Sequence, residues 1–348
     1  MLVILRALVL CLLPAVLLDA QPVAAPRIGL VDFFGIKKVS RDRVEKALNA
    51  KNGDPLPRSK GDVEEQVESV DGVVRAQLEA VCCDEAGGAI LYVGILERGG
   101  PIFEYHAAPA DESIHLPEPV VDAWHRFMEQ LQIAVRAGKA EEDLTRGHSL
   151  MQYGPARDAQ EKFPALADEH LKILRNVLRN SVDETERAIA AYVIAYATRK
   201  PLVVDDLQYA IQDPDDGVRN NAMRSLAAFA VLARLNPESG IRIPATWFVE
   251  QMNSLTWSDR NKAAYALVPM TEGRDPEALA LLKERALDSM ADMARWKHLP
   301  HALPGFILLA RTAGWEEKKI QDTWAAGTHA AAVEEILKAF DAAAKKKK

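Results

Sequence analysis

Apolar residues follow a strand-like pattern from residue 28, and the period then changes several times. Ile28 to Phe34 (IGLVDFF) is an apolar and aromatic run of strand length, closed by Gly35. Behind Ser40, a residue type that caps helices, Val44, Ala47 and Leu48 share one helical face. The turn NGDPLP follows. Ser59 and Asp62 then stand close to capping-box spacing, and Val63, Val67 and Val70 form a second helical stripe that Asp71-Gly72 ends. Residues 73–83 alternate. Val74, Ala76, Leu78, Ala80 and Cys82 are expected on one face of a strand, with Val73, Arg75, Gln77, Glu79, Val81 and Cys83 on the other. DEAGG makes a hairpin turn, and Ala89 to Leu96 returns as the last strand. The expected order over residues 27–98 is β-α-α-β-β.

Residues 99–160 read differently. GGPIFEYHAAPADESIHLPEPV is polar and rich in Gly and Pro, so it is expected as an extended surface linker. Val121, Trp124, Phe127, Met128, Leu131 and Val135 then mark an amphipathic helix. RAGKAEEDLTRGHSLMQYGPARD is expected as a polar loop. Its GHSLM resembles the front half of a serine-nucleophile elbow, but the closing glycine and a preceding strand are missing, so Ser149 reads as an ordinary loop residue.

Residues 161–345 carry a recurring pattern. DETERAIAAYVIAYA, DDGVRNNAMRSLAAFA and SDRNKAAYALVPM each open on acidic or polar residues. Each then has an arginine, an alanine three residues on and an aliphatic residue four further. The triplets are Arg187, Ala190, Ile194; Arg219, Ala222, Leu226; and Arg260, Ala263, Leu267, with Arg295 as a worn fourth copy. Periods of this size imply stacked helical repeats. The acidic residues, Asp215 and Asp216 among them, cap helices and suit their positive ends. The alanines permit close helix approach and the aliphatic residues fill the layers. Second helices are expected at Leu202–Gln212, Pro244–Asn253 and Pro276–Asp288, with both prolines in first turns.

Two resemblances follow. FFGIKKVSRDRVEKAL, the GDPLP turn and the VVRAQLEAV…AILYVGILE hairpin together resemble a POTRA domain, the periplasmic module of outer-membrane barrel assembly factors and related secretion transporters. That resemblance implies a domain without catalytic residues that binds proteins, often by adding a strand to its sheet edge. By resemblance the edge is the second strand, with Val73, Arg75, Gln77, Glu79 and Val81 as its binding residues. The repeats, DPDDGVRNNAMRSL above all, resemble HEAT repeats, which are mostly protein-binding scaffolds. The expected fold is thus an α+β POTRA-like domain followed by an all-α HEAT-like superhelical solenoid.

Composition narrows the function. The chain has 348 residues, 49% of them hydrophobic, and a net charge of -7 that already includes the four terminal lysines of a basic tail at 345–348. An acidic body lacks the footprint of a nucleic-acid binder. MLVILRALVLCLLPAVLLDA reads as a secretory signal peptide, with an uncleaved anchor as the alternative; no later stretch is long and apolar enough to span a bilayer. Cleavage leaves Cys82 and Cys83, adjacent residues expected as one buried and one exposed thiol, with a vicinal or intermolecular disulfide left open. His298 and His301 have ligand spacing, but Pro300 between them is expected to disrupt a helix and no third ligand is evident. No cofactor motif is present. The expected function is a non-catalytic, exported adaptor of the periplasm or outer membrane, bound to unidentified protein partners. The alternatives are an accessory factor in outer-membrane protein assembly or secretion, and an envelope enzyme with an unrecognised site.

Overall fold

The computed structural model describes residues 26–100 and 103–346. The expected signal peptide and the last two lysines lie outside the described residues. A small sheet comes first: β1 (Ile28–Phe34), α1 (Arg41–Leu48), α2 (Lys60–Glu68), β2 (Val73–Val81) and β3 (Ala89–Glu97). The strand order is β1-β3-β2, with β1 parallel and β2 antiparallel to β3. Ser59 caps α2 by accepting a bond from the Asp62 amide. Central β3 is apolar on both faces because both faces are covered. Towards α1 and α2 the sheet buries Val31, Leu78, Leu91 and Val93 around Val44, Leu48 and Val67. On the opposite face Phe34, Ile90 and Tyr92 join the large core of the helical region instead.

Strict alternation does not hold along β2. The register shifts between Val73 and Arg75, so Val73 is buried with Ala76 and Leu78 while Val74 is 52% exposed. A bulge of this kind reverses the faces on its two sides. Ala80 and Cys82, expected beside Leu78, are exposed. Cys82 and Cys83 are disulfide-bonded to each other, and neither is buried, which replaces the expected pair of one buried and one exposed thiol.

The rest of the chain is mostly helical. It begins with α3 (Glu118–Arg136), a short ladder of β4 (Glu142–Asp143) with β5 (Leu150–Met151), α4 (Gly154–Gln160), α5 (Phe163–Glu169), α6 (Leu171–Asn180) and α7 (Glu184–Val193). It continues with α8 (Val204–Ala210), α9 (Asp216–Leu235), α10 (Thr246–Gln251), α11 (Trp257–Met270), α12 (Pro276–Arg285), α13 (Leu287–Ala294) and α14 (Leu299–Thr312), and ends with α15 (Glu317–Ala325) and α16 (His329–Lys346). No helix among the described residues is long and apolar enough to cross a membrane. Helices α7, α9 and α11 pack in succession. Ala190, Ala222, Ala263, Ile194, Leu226 and Leu267 are all fully buried between layers. The α7–α9 approach is close enough for Asn221 and Ser225 to bond the carbonyls of Ala188 and Ala191, each at 2.9 Å.

Several expectations change here. The 99–160 connector is built into the helical core: Phe127, Ala134, Leu150, Met151 and Ala156 are buried in it. The His106 amide donates to the Gln212 carbonyl and its ring stacks on Tyr209. Pro300 does not break a helix. It occupies the first turn of α14, where its missing N–H has no partner to lose. Pro244 precedes α10 rather than entering its first turn, whereas Pro276 starts α12 as expected. Arg295 is no fourth copy: it ends α13 and pairs with Glu334. Lys345 and Lys346 continue α16.

Candidate functional site

The repeat arginines build a buried ladder. Arg187 grips Asp213 with Nε and Nη2 at 2.9 and 3.0 Å, while its Nη1 donates to the carbonyls of Ser181 and Val182. Arg219 repeats the arrangement one layer on. Its Nε and Nη2 hold Asp259 at 3.0 Å, and its Nη1 donates to the Asp213 and Pro214 carbonyls. Both pairs are almost completely buried. Burial disfavours the Arg219 cation, but Asp259 beside it holds its pKa above the usual value. Tyr105 covers the Arg219 guanidinium at 4.2 Å and donates its hydroxyl to Asp259. Burial first, then the Asp259 charge, push the Tyr105 phenol up to about 12.

Helix capping follows the same period until the third copy. Asp183 caps α7 through the Glu186 amide, and Asp215 caps α9 through the Val218 amide. Thr256 holds the equivalent place before α11 but makes no side-chain cap bond. Glu79 of β2 supplies it, accepting from the Trp257 and Ser258 amides at 2.6 and 3.2 Å. Desolvation raises the pKa of this carboxyl despite those bonds. A cap is worth about 1 kcal/mol, and this one also ties the sheet to the helices.

More contacts secure the junction. Tyr92 is fully buried, stacks on Trp257 at 4.9 Å and meets Trp296 at the same distance. Its hydroxyl shares a hydrogen bond with Nδ1 of His301 at 2.8 Å. Asp32 accepts from the Lys297 amide, Asp292 from the Gly35 amide, and Lys37 pairs with Asp288. At Gly94 a Cβ would lie 2.3 Å from the Leu255 carbonyl oxygen, so only glycine allows this approach.

His301 gives the junction a pH dependence. Burial, then the charges of His298 and Lys262, pull its imidazole from 6.5 to about 4. Between those values the unfolded chain holds the proton and the folded chain does not, so this contribution is full above 6.5 and is lost as the pH falls towards 4. The stability advantage of the wild type over His301→Gln should therefore shrink from pH 7 to pH 4 in chemical denaturation. An advantage constant with pH would refute the assignment.

A cavity of about 620 Å³ lies at this junction, between the sheet and α9, α11 and α13. Arg75 and Gln77 of β2 line it, as do Asp215, Asp216, Arg219 and Arg260 of the repeats. The two groups of residues singled out in the sequence thus meet on one surface. The other three β2 positions do not reach it: Val73 is in the small core, Glu79 caps α11, and Val81 packs against the large core. Arg187, Ala190, Ile194, Ala222, Leu226, Ala263 and Leu267 serve the layers behind it. Sequence reasoning missed Lys38, Tyr105 and Asp292 on the cavity wall.

The outer side of β2 is partly occupied. Its Ala76 and Leu78 amides donate to Glu68 and Glu64 of α2 at 2.9 and 2.6 Å. Ser149 lies in a buried loop where its carbonyl accepts from Gln160 and Tyr196, and its hydroxyl has no hydrogen-bond partner, so no base activates it. Among the described residues no three His, Cys, Asp or Glu side chains group closely enough to hold a metal ion. Searches of protein-family models, of curated proteins and of solved structures found no match to this chain.

Proposed function

We propose that this chain is a non-catalytic adaptor of the cell envelope, a POTRA-like module joined to a HEAT-like solenoid, that holds a protein partner in the cavity between them. The observation that carries this reading is the cavity itself. It is a groove of about 620 Å³ whose walls come from two separate parts of the chain and carry both signs of charge. Glu79, Tyr92 and Gly94 lock those parts together, so the groove is preformed and its shape is fixed before a partner arrives. Binding in the groove is favoured over strand addition at β2. An incoming strand would have to displace Glu64 and Glu68 from the amides they already occupy.

The test is a photo-crosslinking residue at Gln77, on the cavity wall, with a second at Leu235, an exposed site away from it. A discrete protein captured in cells from Gln77 and not from Leu235 is the expected result. Absence of any adduct specific to Gln77 would overturn the adaptor reading. Capture of an outer-membrane or secretion component would place the adaptor in that process. Unchanged outer-membrane protein levels on deletion of the gene would exclude such a role.

A further inference from the structure

The arginine ladder closes at its first two rungs and stays open at the third. At Arg187 and Arg219 the fork of Nε and Nη2 holds a carboxylate from the next layer, and Nη1 takes the carbonyls five and six residues earlier. At Arg260 it is Nε that donates to the carbonyl six residues earlier, that of Ser254, at 2.5 Å. The guanidinium is turned relative to the other two. Arg260 is 5% exposed, enters no ion pair among the described residues, and its Nη1 is buried without a hydrogen-bond partner. A buried guanidinium left this way is costly. Phe34 covers it at 4.4 Å, as Tyr105 covers Arg219.

The open rung lines the junction cavity. Most acids on the wall are engaged elsewhere. Lys37 pairs with Asp288, the amides of residues 37–39 surround Glu97, and Asp215 caps α9; Asp292 accepts from Gly35 and its charge acts on Arg260 without closing to an ion pair. Only Asp216 has no such bond. On the basic side Lys38 and Arg75 line the same cavity without an ion-pair partner among the described residues. Hydrogen bonds to amides leave the charges of Glu97, Asp215 and Asp292 in place, so the cations and acids of this wall come close to balance. The two closed rungs show which group an arginine of this series takes: a carboxylate, held by the fork.

We propose that Arg260 forms the floor of a carboxylate-binding subsite, and that a ligand carboxylate entering the junction cavity completes the third rung. Lys38 and Arg75 draw the anion towards it. The carboxylate can belong to a peptide C-terminus or to a free small acid; the chemistry at Arg260 is the same. The subsite goes beyond the adaptor reading and stands or falls without it.

Calorimetric titration of the full chain tests the proposal, with acetate, succinate, trialanine and trialanine amide as probes. Saturable binding of at least one free-carboxylate probe is expected, with a rise in melting temperature. The Arg260→Met variant should weaken it about tenfold or more, and Arg260→Lys, which keeps the charge but not the planar guanidinium, by an intermediate factor. Trialanine binding that is lost on amidation assigns a peptide terminus, and acetate or succinate binding assigns a small acid. No binding of any probe at millimolar concentration, or binding indifferent to Arg260→Met, overturns the subsite. Asp292→Asn supplies an independent check on folding. If it destabilises the chain as strongly as Asp213→Asn, Asp292 is the partner of Arg260 and the rung is not open. A Gln77 adduct without carboxylate binding would remove the subsite and leave the adaptor; the reverse would remove the adaptor alone.

Discussion

Replacing Arg219 with methionine should cost about 3–5 kcal/mol of folding stability, read as a lower denaturation midpoint. The loss does not measure the attraction between the two charges. It arises because Asp259, whose side chain is 0% exposed, would be left buried without its forked partner. The carbonyls of Asp213 and Pro214 would lose their donor at the same time. Asp259 would retain the Ser254 and Tyr105 hydroxyls, at 2.7 and 3.2 Å, which is too little for a buried carboxylate. The double variant Arg219→Met with Asp259→Leu removes both charges, and it should recover most of the loss. A double variant as unstable as the single one would mean that geometry, and not the orphaned charge, sets the cost. Arg260→Met should be milder, because Arg260 enters no ion pair among the described residues and Asp292, the acid whose charge it stabilises, also keeps the Gly35 amide.

The parts of this architecture that were legible in the sequence are those with a local period. The order of strands and helices up to Glu97 follows from Val44, Leu48, Val63 and Val67 at helical spacing and from strands bounded by glycines. The ladder arginines were legible because each repeat restates the same three residues. The junction was not. Glu79 in sequence is one charge on an alternating strand, and the amides it caps lie 178 and 179 residues away. In the structure the junction is marked by Asp32 inside an otherwise apolar strand and by Gly94 inside the most buried one. Each marks a close approach by another part of the chain, and neither identifies that part. Val73 lies on the face opposite to the one alternation predicts, because a bulge carries no fixed sequence mark. Pro300 would disrupt the interior of a helix, and its position at the start of α14 reverses that effect.

Tyr92→Ala should cost about 3–5 kcal/mol and should also change how the chain unfolds. The ring is fully buried between Trp257 and Trp296 and beside Phe34, so its removal leaves a cavity in the contact between the sheet and α11, α13 and α14. The sheet keeps its own core on the opposite face, around Val44, Leu48, Val67 and Leu78. With the junction weakened, the two parts should melt in separate steps where the wild type melts in one. Tryptophan fluorescence reads this directly, because Trp257 and Trp296 are both buried at the junction and should shift to the red in the first step. Tyr92→Phe separates packing from hydrogen bonding. It keeps the stack and loses only the bond to His301, a loss of about 1 kcal/mol with single-step melting retained. A Tyr92→Ala chain that still melts in one step would show that Glu79, Asp32 and Asp292 hold the junction without the aromatic stack. The groove would then keep its shape through polar contacts alone.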